Sequence, residues 1–190
     1  MGFNKNTYLV LLYIYSMNIP VILGTAREGR QSEKVANYVL QKAQDFGFTS
    51  ELIDPRDYPT QATKRKAYPE YGEKIDAADG YIIVVPEYNR GYPGELKMLL
   101  DSFYPEYARK PVGICGVSSG PMGGVRAVEQ LKLVAITFKM VPIREGVYFG
   151  KVEELFDEKG NIQDKEYDER VQKFLEEMSW YVEALKKARG

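Results

Sequence analysis

A chain of 190 residues is long enough for one domain with a sizeable core and short for two, and 44% hydrophobic with 28% charged residues is ordinary globular composition. A net charge of −1 offers no basic field to recruit nucleic acid. With no histidine and a single cysteine, Cys115, the chain lacks imidazole bases, imidazole metal ligands, an internal disulfide and any multi-cysteine metal site, so it either does no chemistry or borrows it from a cofactor.

Residues 8–15 (YLVLLYIY) are apolar, but a membrane span needs about twenty such residues. Lys5 precedes them and no small-residue cleavage site follows, so a secretory leader is not indicated. Residues 1–16 are taken as an N-terminal extension, residues 17–190 as a single domain, and the cytoplasm as its location. NIPVILG (18–24) has strand length and ends in glycine. SEKVANYVLQKAQDF (32–46) places Val35, Ala36, Val39, Leu40, Ala43 and Phe46 on one helical face, with Ser32 as its N-cap. FTSELID (48–54) is a strand, residues 55–68 a polar loop, and a short helix is expected around 69–78.

GYIIVV (80–85) is the most apolar segment and does not alternate, as for a strand covered on both faces. Leu96, Leu99, Leu100 and Phe103 mark a helix with Pro93 near its start. VGICGV (112–117) is another buried strand, 123–140 a helix, VPIREGVYF (141–149) a fifth strand, and 166–188 a closing amphipathic helix. Strand and helix thus alternate five times. That pattern predicts an α/β fold, a flavodoxin-like three-layer sandwich with a five-stranded parallel sheet in the order 2-1-3-4-5. Ligands in such sheets bind beyond the strands' carboxyl ends where the order reverses, so the loops after strands 1, 3 and 4 carry the site.

The first loop, GTAREGRQS (24–32), lacks the Lys-Ser/Thr of a phosphate loop and is not G-x-G-x-x-G. What remains is Thr25, Arg27, Arg30, Gln31 and Ser32 at a helix N-terminus. These suit a terminal phosphate monoester, and equally a capped helix with two solvated arginines. In the second loop, PEYNRGYPGELKMLLD (86–101), Pro86 ends the strand, and Asn89 and Gly91 permit positive φ. Glu87, Tyr88 and Asn89 crowd the strand's exit in a way that a plain turn does not require. The third loop, VSSGPMGGVRA (117–127), is rich in glycine and serine, allowing close backbone approach to a ligand, or simply a long turn.

Together these loops resemble the NADPH-dependent FMN reductase family, flavodoxin-like flavoproteins that include quinone, azo-dye and chromate reductases. The likeness runs from about Met17 to Phe149, and P-E-Y-N-x-x-x-P-G-x-L-K-x-x-L-D is its most specific motif. It implies FMN as bound cofactor and NADPH or NADH as hydride donor. Thr25, Arg27 and Ser32 would lie at the FMN phosphate, with Arg30 and Gln31 beside them. Pro86, Glu87, Tyr88 and Asn89 would line the isoalloxazine, and Ser118, Gly120, Gly123 and Gly124 its polar edge. The implied activity is ping-pong transfer to a small-molecule acceptor: a quinone, azo compound, metal oxyanion or free flavin. The resemblance also implies a homodimer or homotetramer, with no nucleic acid or membrane partner. No side chain is assigned as acid or base, and no metal is expected.

Two rivals share the fold: a flavodoxin-type electron carrier, which is usually far more acidic than this chain, and a ligand-free flavodoxin-like interaction module. A third possibility uses FMN as substrate. Cys115 is read as a small core residue, Trp180 as core or interface packing rather than flavin stacking, and YPEYGEK (68–74) as a candidate interface. Arg126 opens a helix beside the site, where a role in steering the NADPH phosphate and a plain surface role are both open.

Overall fold

The computed structural model describes residues 17–59 and 68–190. Five parallel strands, β1 (Val21–Leu23), β2 (Leu52–Ile53), β3 (Tyr81–Pro86), β4 (Pro111–Val117) and β5 (Val141–Phe149), lie in the order β2-β1-β3-β4-β5. The helices are α1 (Ser32–Phe46), α2 (Pro69–Ala77), α3 (Gly94–Asp101), α4 (Val125–Thr137), the short α5 (Val152–Leu155) and α6 (Glu166–Arg189). The expected topology is the observed one. The assignment of residues 1–16 as an extension lies outside the described residues, as does most of the predicted loop at 55–68.

Every residue of β3 and β4 is buried, because helices cover both faces of the sheet and leave no strand side to water. Successive side chains alternate between the two layers. Ile82, Val84, Cys115 and Val117 pack with Val35 and Val39 of α1 and with Phe174 and Met178 of α6. Tyr81, Ile83, Val85 and Ile114 pack with Leu96 and Leu100 of α3 and with Val128 and Leu131 of α4. Tyrosines fill the second layer without stranding a hydroxyl. Tyr71 and Tyr107 share a hydrogen bond of 2.6 Å, and Tyr81 donates to the Ile75 carbonyl at 2.8 Å. Tyr71 is thus a core residue, and of the expected 68–74 interface Tyr71 and Gly72 are buried. Trp180, expected to pack in a core or an interface, is 63% exposed on α6 beside Tyr181.

Some boundaries move for local reasons. β1 is shorter than predicted, since Pro20 has no N–H to offer β3 and the ladder opens at Val21 opposite Ile82. Only an isolated bridge, Asn18 to Thr49, precedes the two-residue β2. α4 begins at Val125 instead of 123, because Gly123 and Gly124 adopt left-handed backbone (φ 59° and 78°) and form a turn. Ser32 is the first residue of α1, not its cap. Gln31 holds the capping position and makes no side-chain cap bond. Among the described residues, no helix is long and apolar enough to cross a membrane.

Candidate functional site

The strand order reverses between β1 and β3, and the loops after β1, β3 and β4 meet there around a cleft of about 350 Å³. One wall is the first loop, with Arg27, Gln31 and Ser32, and another is Pro86, Glu87 and Tyr88 at the end of β3. Ser118 and Ser119 close the β4 side, joined by Val152 and Glu153 of α5.

Thr25 is fully buried and its hydroxyl is spoken for. It donates to Glu95 Oε1 at 2.6 Å and accepts from Arg27 N at 3.2 Å. Its contact with the Tyr88 hydroxyl is 3.1 Å. Since the threonine proton is on the carboxylate side, Tyr88 is the donor there. Ala26 N also reaches Glu95 Oε1 at 3.3 Å, and the Arg27 guanidinium lies 5.4 Å from the centre of the Tyr88 ring. Thr25 therefore has no proton left for a phosphate. It fastens the first loop to Tyr88 and to the first turn of α3.

Arg30 is a brace of the same kind. Its buried guanidinium donates to the Thr25 carbonyl at 2.6 Å, to both carboxylate oxygens of Asp54, and to Glu33 at 3.2 Å. Burial works against the Asp54 anion, but the Arg30 hydrogen bonds and the Arg56 N–H outweigh it and hold the carboxyl below its ordinary range. Arg30 borders the cleft, yet its donors are committed to protein. Of the two readings of Arg30, the solvated arginine is excluded by its burial, and a place beside the phosphate stays an expectation.

Ser32 and Gln31 behave differently. Ser32 Oγ and Gln31 Oε1 are buried and have no hydrogen-bond partner among the described residues. Buried polar atoms are nearly always paired, so these two orphans on one cleft wall leave hydrogen-bonding capacity that a water or a ligand can take up. They stand at the start of the fifteen-residue α1, where Glu33 N and Lys34 N donate to the Arg30 and Gln31 carbonyls at 3.4 and 3.1 Å and the helix dipole favours an anion. A phosphate monoester with a hydroxylated chain behind it matches this donor and acceptor set.

After β3 the chain turns sharply. Tyr88 and Gly91 exchange hydrogen bonds of 2.8 and 3.0 Å around Asn89 and Arg90, both with positive φ (49° and 71°), as in a type I′ turn. Gly91 was expected to take positive φ, but it stands one residue beyond the turn's centre, and Arg90 takes that conformation instead. Asn89 and Arg90 project from the exposed tip. Glu87 does not face the cleft as a free acid. Its carboxylate accepts Arg126 N at 3.1 Å and Arg126 Nη1 at 3.0 Å, capping α4.

In the third loop Ser118 Oγ donates to the Gly120 carbonyl at 2.9 Å, and Gly120 is exposed. Gly123 and Gly124 are buried. A Cβ on Gly124 would stand 2.7 Å from Val117 N, and one on Gly123 2.6 Å from the Tyr148 carbonyl carbon. These glycines let the loop fold down onto β4 and β5 and shape it from beneath. A second cavity of about 410 Å³ adjoins the cleft and shares Glu87, Ser118 and Ser119 with it, with Asn89, Gly120 and Arg126 also in its walls. Of the expected site residues, only Thr25, Gly123 and Gly124 line neither cavity.

Sequence reasoning missed Glu95, Asp54, Ser119 and Glu153. Glu95 lay inside the PEYN-x-x-x-PG-x-LK motif, at the variable position before Leu96. Asp54 closes the second strand next to the reversal, which was a usable signal. Cys115 is fully buried in β4, and burial pushes its thiol up to about 12.

A parallel sheet of this order with its cleft at the reversal defines a flavodoxin-like fold. The chain belongs to the NADPH-dependent FMN reductase family, whose model matches residues 17–154. An NAD(P)H-dependent FMN reductase of Schizosaccharomyces pombe is 35% identical over 136 residues, 64% of this chain and 67% of that protein. A quinone reductase of Pseudomonas putida is 28% identical over 165 residues, 80% and 87% of the two chains. Among solved structures, FerB, a flavoenzyme NAD(P)H:(acceptor) oxidoreductase from Paracoccus denitrificans, superposes with a TM-score of 0.74 at 22% identity, covering 90% of this chain and 98% of its own. That last likeness is one of fold. Family membership makes this chain an NAD(P)H-dependent oxidoreductase that works with FMN.

Proposed function

We propose that the 350 Å³ cleft holds FMN as a resident cofactor and that the enzyme transfers reducing equivalents from NADPH or NADH to a small-molecule acceptor by a ping-pong sequence. A quinone, azo compound, metal oxyanion or free flavin is the acceptor class. FMN, when bound, supplies the capacity to take a hydride and to release electrons singly or in pairs. The observation that carries this reading is the orphaned, buried Ser32 Oγ at the N-terminus of α1, with Arg27 on the same wall. Ser32, Arg27 and the opening N–H groups of α1 would hold the phosphate, and Gln31 Oε1 would accept from a chain hydroxyl. Pro86, Tyr88, Asn89 and Ser118 would bound the ring.

The chain's own part is positioning. Glu95 and Thr25 hold Tyr88, Arg30 with Asp54 holds the first loop, and Glu87 is occupied by Arg126, so none of these carboxylates is a free base. Hydride and electron transfer depend on proximity and orientation, which this frame supplies. The reading includes a cytoplasmic location and a homodimer or homotetramer. Exposed Leu133 and Ile136 support the oligomer, and light scattering measures it.

The test is an absorption spectrum of the purified protein, followed by anaerobic NADPH and then NADH. Flavin bands that bleach promptly, and return on addition of a quinone, support the proposal. A flavin that stays oxidised with both donors indicates an electron carrier. A colourless protein that fails to bind added FMN refutes the cleft assignment.

A further inference from the structure

We propose that the apolar segment 8–15 docks on its own chain, covering Trp180 on the outer face of α6. The inference does not depend on the flavin reading. It concerns the end of the sheet opposite the cleft, where Met17 and Asn18 lead into β1.

The segment joins the fold at a fixed point. Met17 is buried, its carbonyl accepts Thr49 N at 2.9 Å, and Ser179 Oγ of α6 donates to its sulfur at 3.8 Å. Asn18 is pinned beside it, its N–H donating to Asp79 Oδ2 at 2.9 Å. Residue 15 is therefore two positions from a side chain that touches α6 at Ser179, the neighbour of Trp180. Eight residues span at most about 29 Å when fully extended, so all of 8–15 stays within reach of that helix surface.

Two apolar surfaces meet at this junction. YLVLLYIY contains eight apolar residues and no charge, and leaving them in water forfeits free energy in proportion to their area. Trp180, the chain's one tryptophan, is 63% exposed, with the half-buried Tyr181 ring set edge-on to it at 5.0 Å. On the other side of Met17, half-buried Phe46 lies 4.9 Å from Phe48 and extends the same apolar rim. The surroundings of Trp180 are acidic: Glu176, Glu177 and Glu183 share its side of the helix. The only charged side chain among residues 1–16 is Lys5, of complementary sign.

The same charges disfavour the other occupants. A symmetric contact of two α6 helices centred on Trp180 would run them antiparallel and set residues equally far before and after position 180 opposite each other. Glu177 would then face Glu183, and Lys173 would face Lys187, each a repulsion between like charges. A bilayer is disfavoured because the three carboxylates would have to leave water with the indole. Leu133 and Ile136, the exposed pair that favours an oligomer, belong to α4 in the layer across the sheet, so a contact there leaves Trp180 uncovered.

The test uses the full-length protein as purified, with the single tryptophan as reporter. Quenching by acrylamide is read from lifetimes as a bimolecular rate constant, so that a bound flavin does not distort it. Trp180 should emit to the blue of N-acetyltryptophanamide and be quenched several-fold more slowly than it, at every protein concentration. Leu11→Asp combined with Leu12→Asp should move the emission to the red and restore most of the quenching, with far-ultraviolet dichroism unchanged. A tryptophan quenched as freely as the reference compound overturns the proposal. So does protection that disappears on dilution, which assigns the cover to a second copy, and so does protection that the double variant leaves intact. A benzophenone amino acid at position 180 decides the matter even where the double variant fails to fold. Irradiation should cross-link it within residues 8–15 of the same chain, at monomer mass, as located by mass spectrometry. Cross-links confined to other segments, or to a second chain, overturn the assignment.

Discussion

Replacing Glu95 by alanine removes the group on which the cleft's first wall hangs. Its carboxylate accepts Thr25 Oγ1 at 2.6 Å and Ala26 N at 3.3 Å, and Thr25 in turn holds the Tyr88 hydroxyl at 3.1 Å. A hydrogen bond to a charged group contributes about 1.5–3 kcal/mol. Glu95 is half-buried and the 3.3 Å contact is weak, so the whole loss to folding stability is about 1–2 kcal/mol. The larger effect falls on the cofactor. A first loop released from Glu95 has to be ordered again on binding, at about 1–2 kcal/mol for each residue freed. One such residue weakens FMN about tenfold, since a factor of ten is about 1.4 kcal/mol. Glu95→Gln separates charge from anchorage, because its carbonyl still accepts from Thr25. Quenching of FMN fluorescence measures affinity, and a thermal melt measures stability. Weakened FMN in the alanine variant with near-normal binding in the glutamine variant supports the argument. FMN affinity unchanged in the alanine variant, with only the melting temperature lowered, refutes it.

Ser32→Ala should weaken FMN by about tenfold to a hundredfold through loss of one charge-assisted hydrogen bond, without lowering the stability of the cofactor-free protein, because the hydroxyl has no partner there; fluorescence titration and melting check both halves. Asp54→Asn should cost about 2 kcal/mol near neutral pH by leaving the buried Arg30 short of a counter-charge. Because the folded Asp54 pKa is depressed, its contribution is complete above the ordinary carboxylate value of about 4 and fades as pH falls through the lower folded value. Urea titrations of the two proteins should therefore converge as pH falls below the ordinary carboxylate range. Gly124→Ala should destabilise by about 1–3 kcal/mol from left-handed strain alone, with the further clash against Val117, as read in denaturant midpoints. Cys115, fully buried with its thiol pushed up to about 12, should resist iodoacetamide at pH 8 until the protein is unfolded; labelling of the native protein at a free-thiol rate would contradict the core placement.

Much of the fold was readable because its strongest segments have one physical solution. YIIVV and VGICGV are apolar without alternation, which only a strand covered on both sides accommodates, and the helix stripes between them fix which layer covers each face. The boundaries that moved did so where a single residue's backbone decides. Gly123 and Gly124 sit within an apolar helical period, and nothing in the period announces that both adopt positive φ. The short β2 is likewise a matter of pairing. FTSELID has strand character throughout, but only Leu52 and Ile53 find regular partners on β1.

The site was legible as a location and not as a set of roles. Residue types pointed to the loops after β1, β3 and β4, and these loops do converge on one cleft where the strand order reverses. What residue types do not tell is which way a donor points. Thr25, Arg30 and Ser32 share one loop, and each is a plausible phosphate ligand from its side chain alone. Partners remote in sequence separate them. Glu95 takes the Thr25 proton and Asp54 takes the Arg30 fork, while Ser32 is left buried and unpaired. Asn89 and Arg90 show the same division, for the first was anticipated at the turn and the second was passed over beside Gly91. A motif records which positions are constrained. Whether the constraint comes from a ligand or from the frame is decided by hydrogen bonds made across the fold, and in this cleft those bonds commit Thr25 and Arg30 to the frame and leave Ser32 Oγ and Gln31 Oε1 without a partner among the described residues.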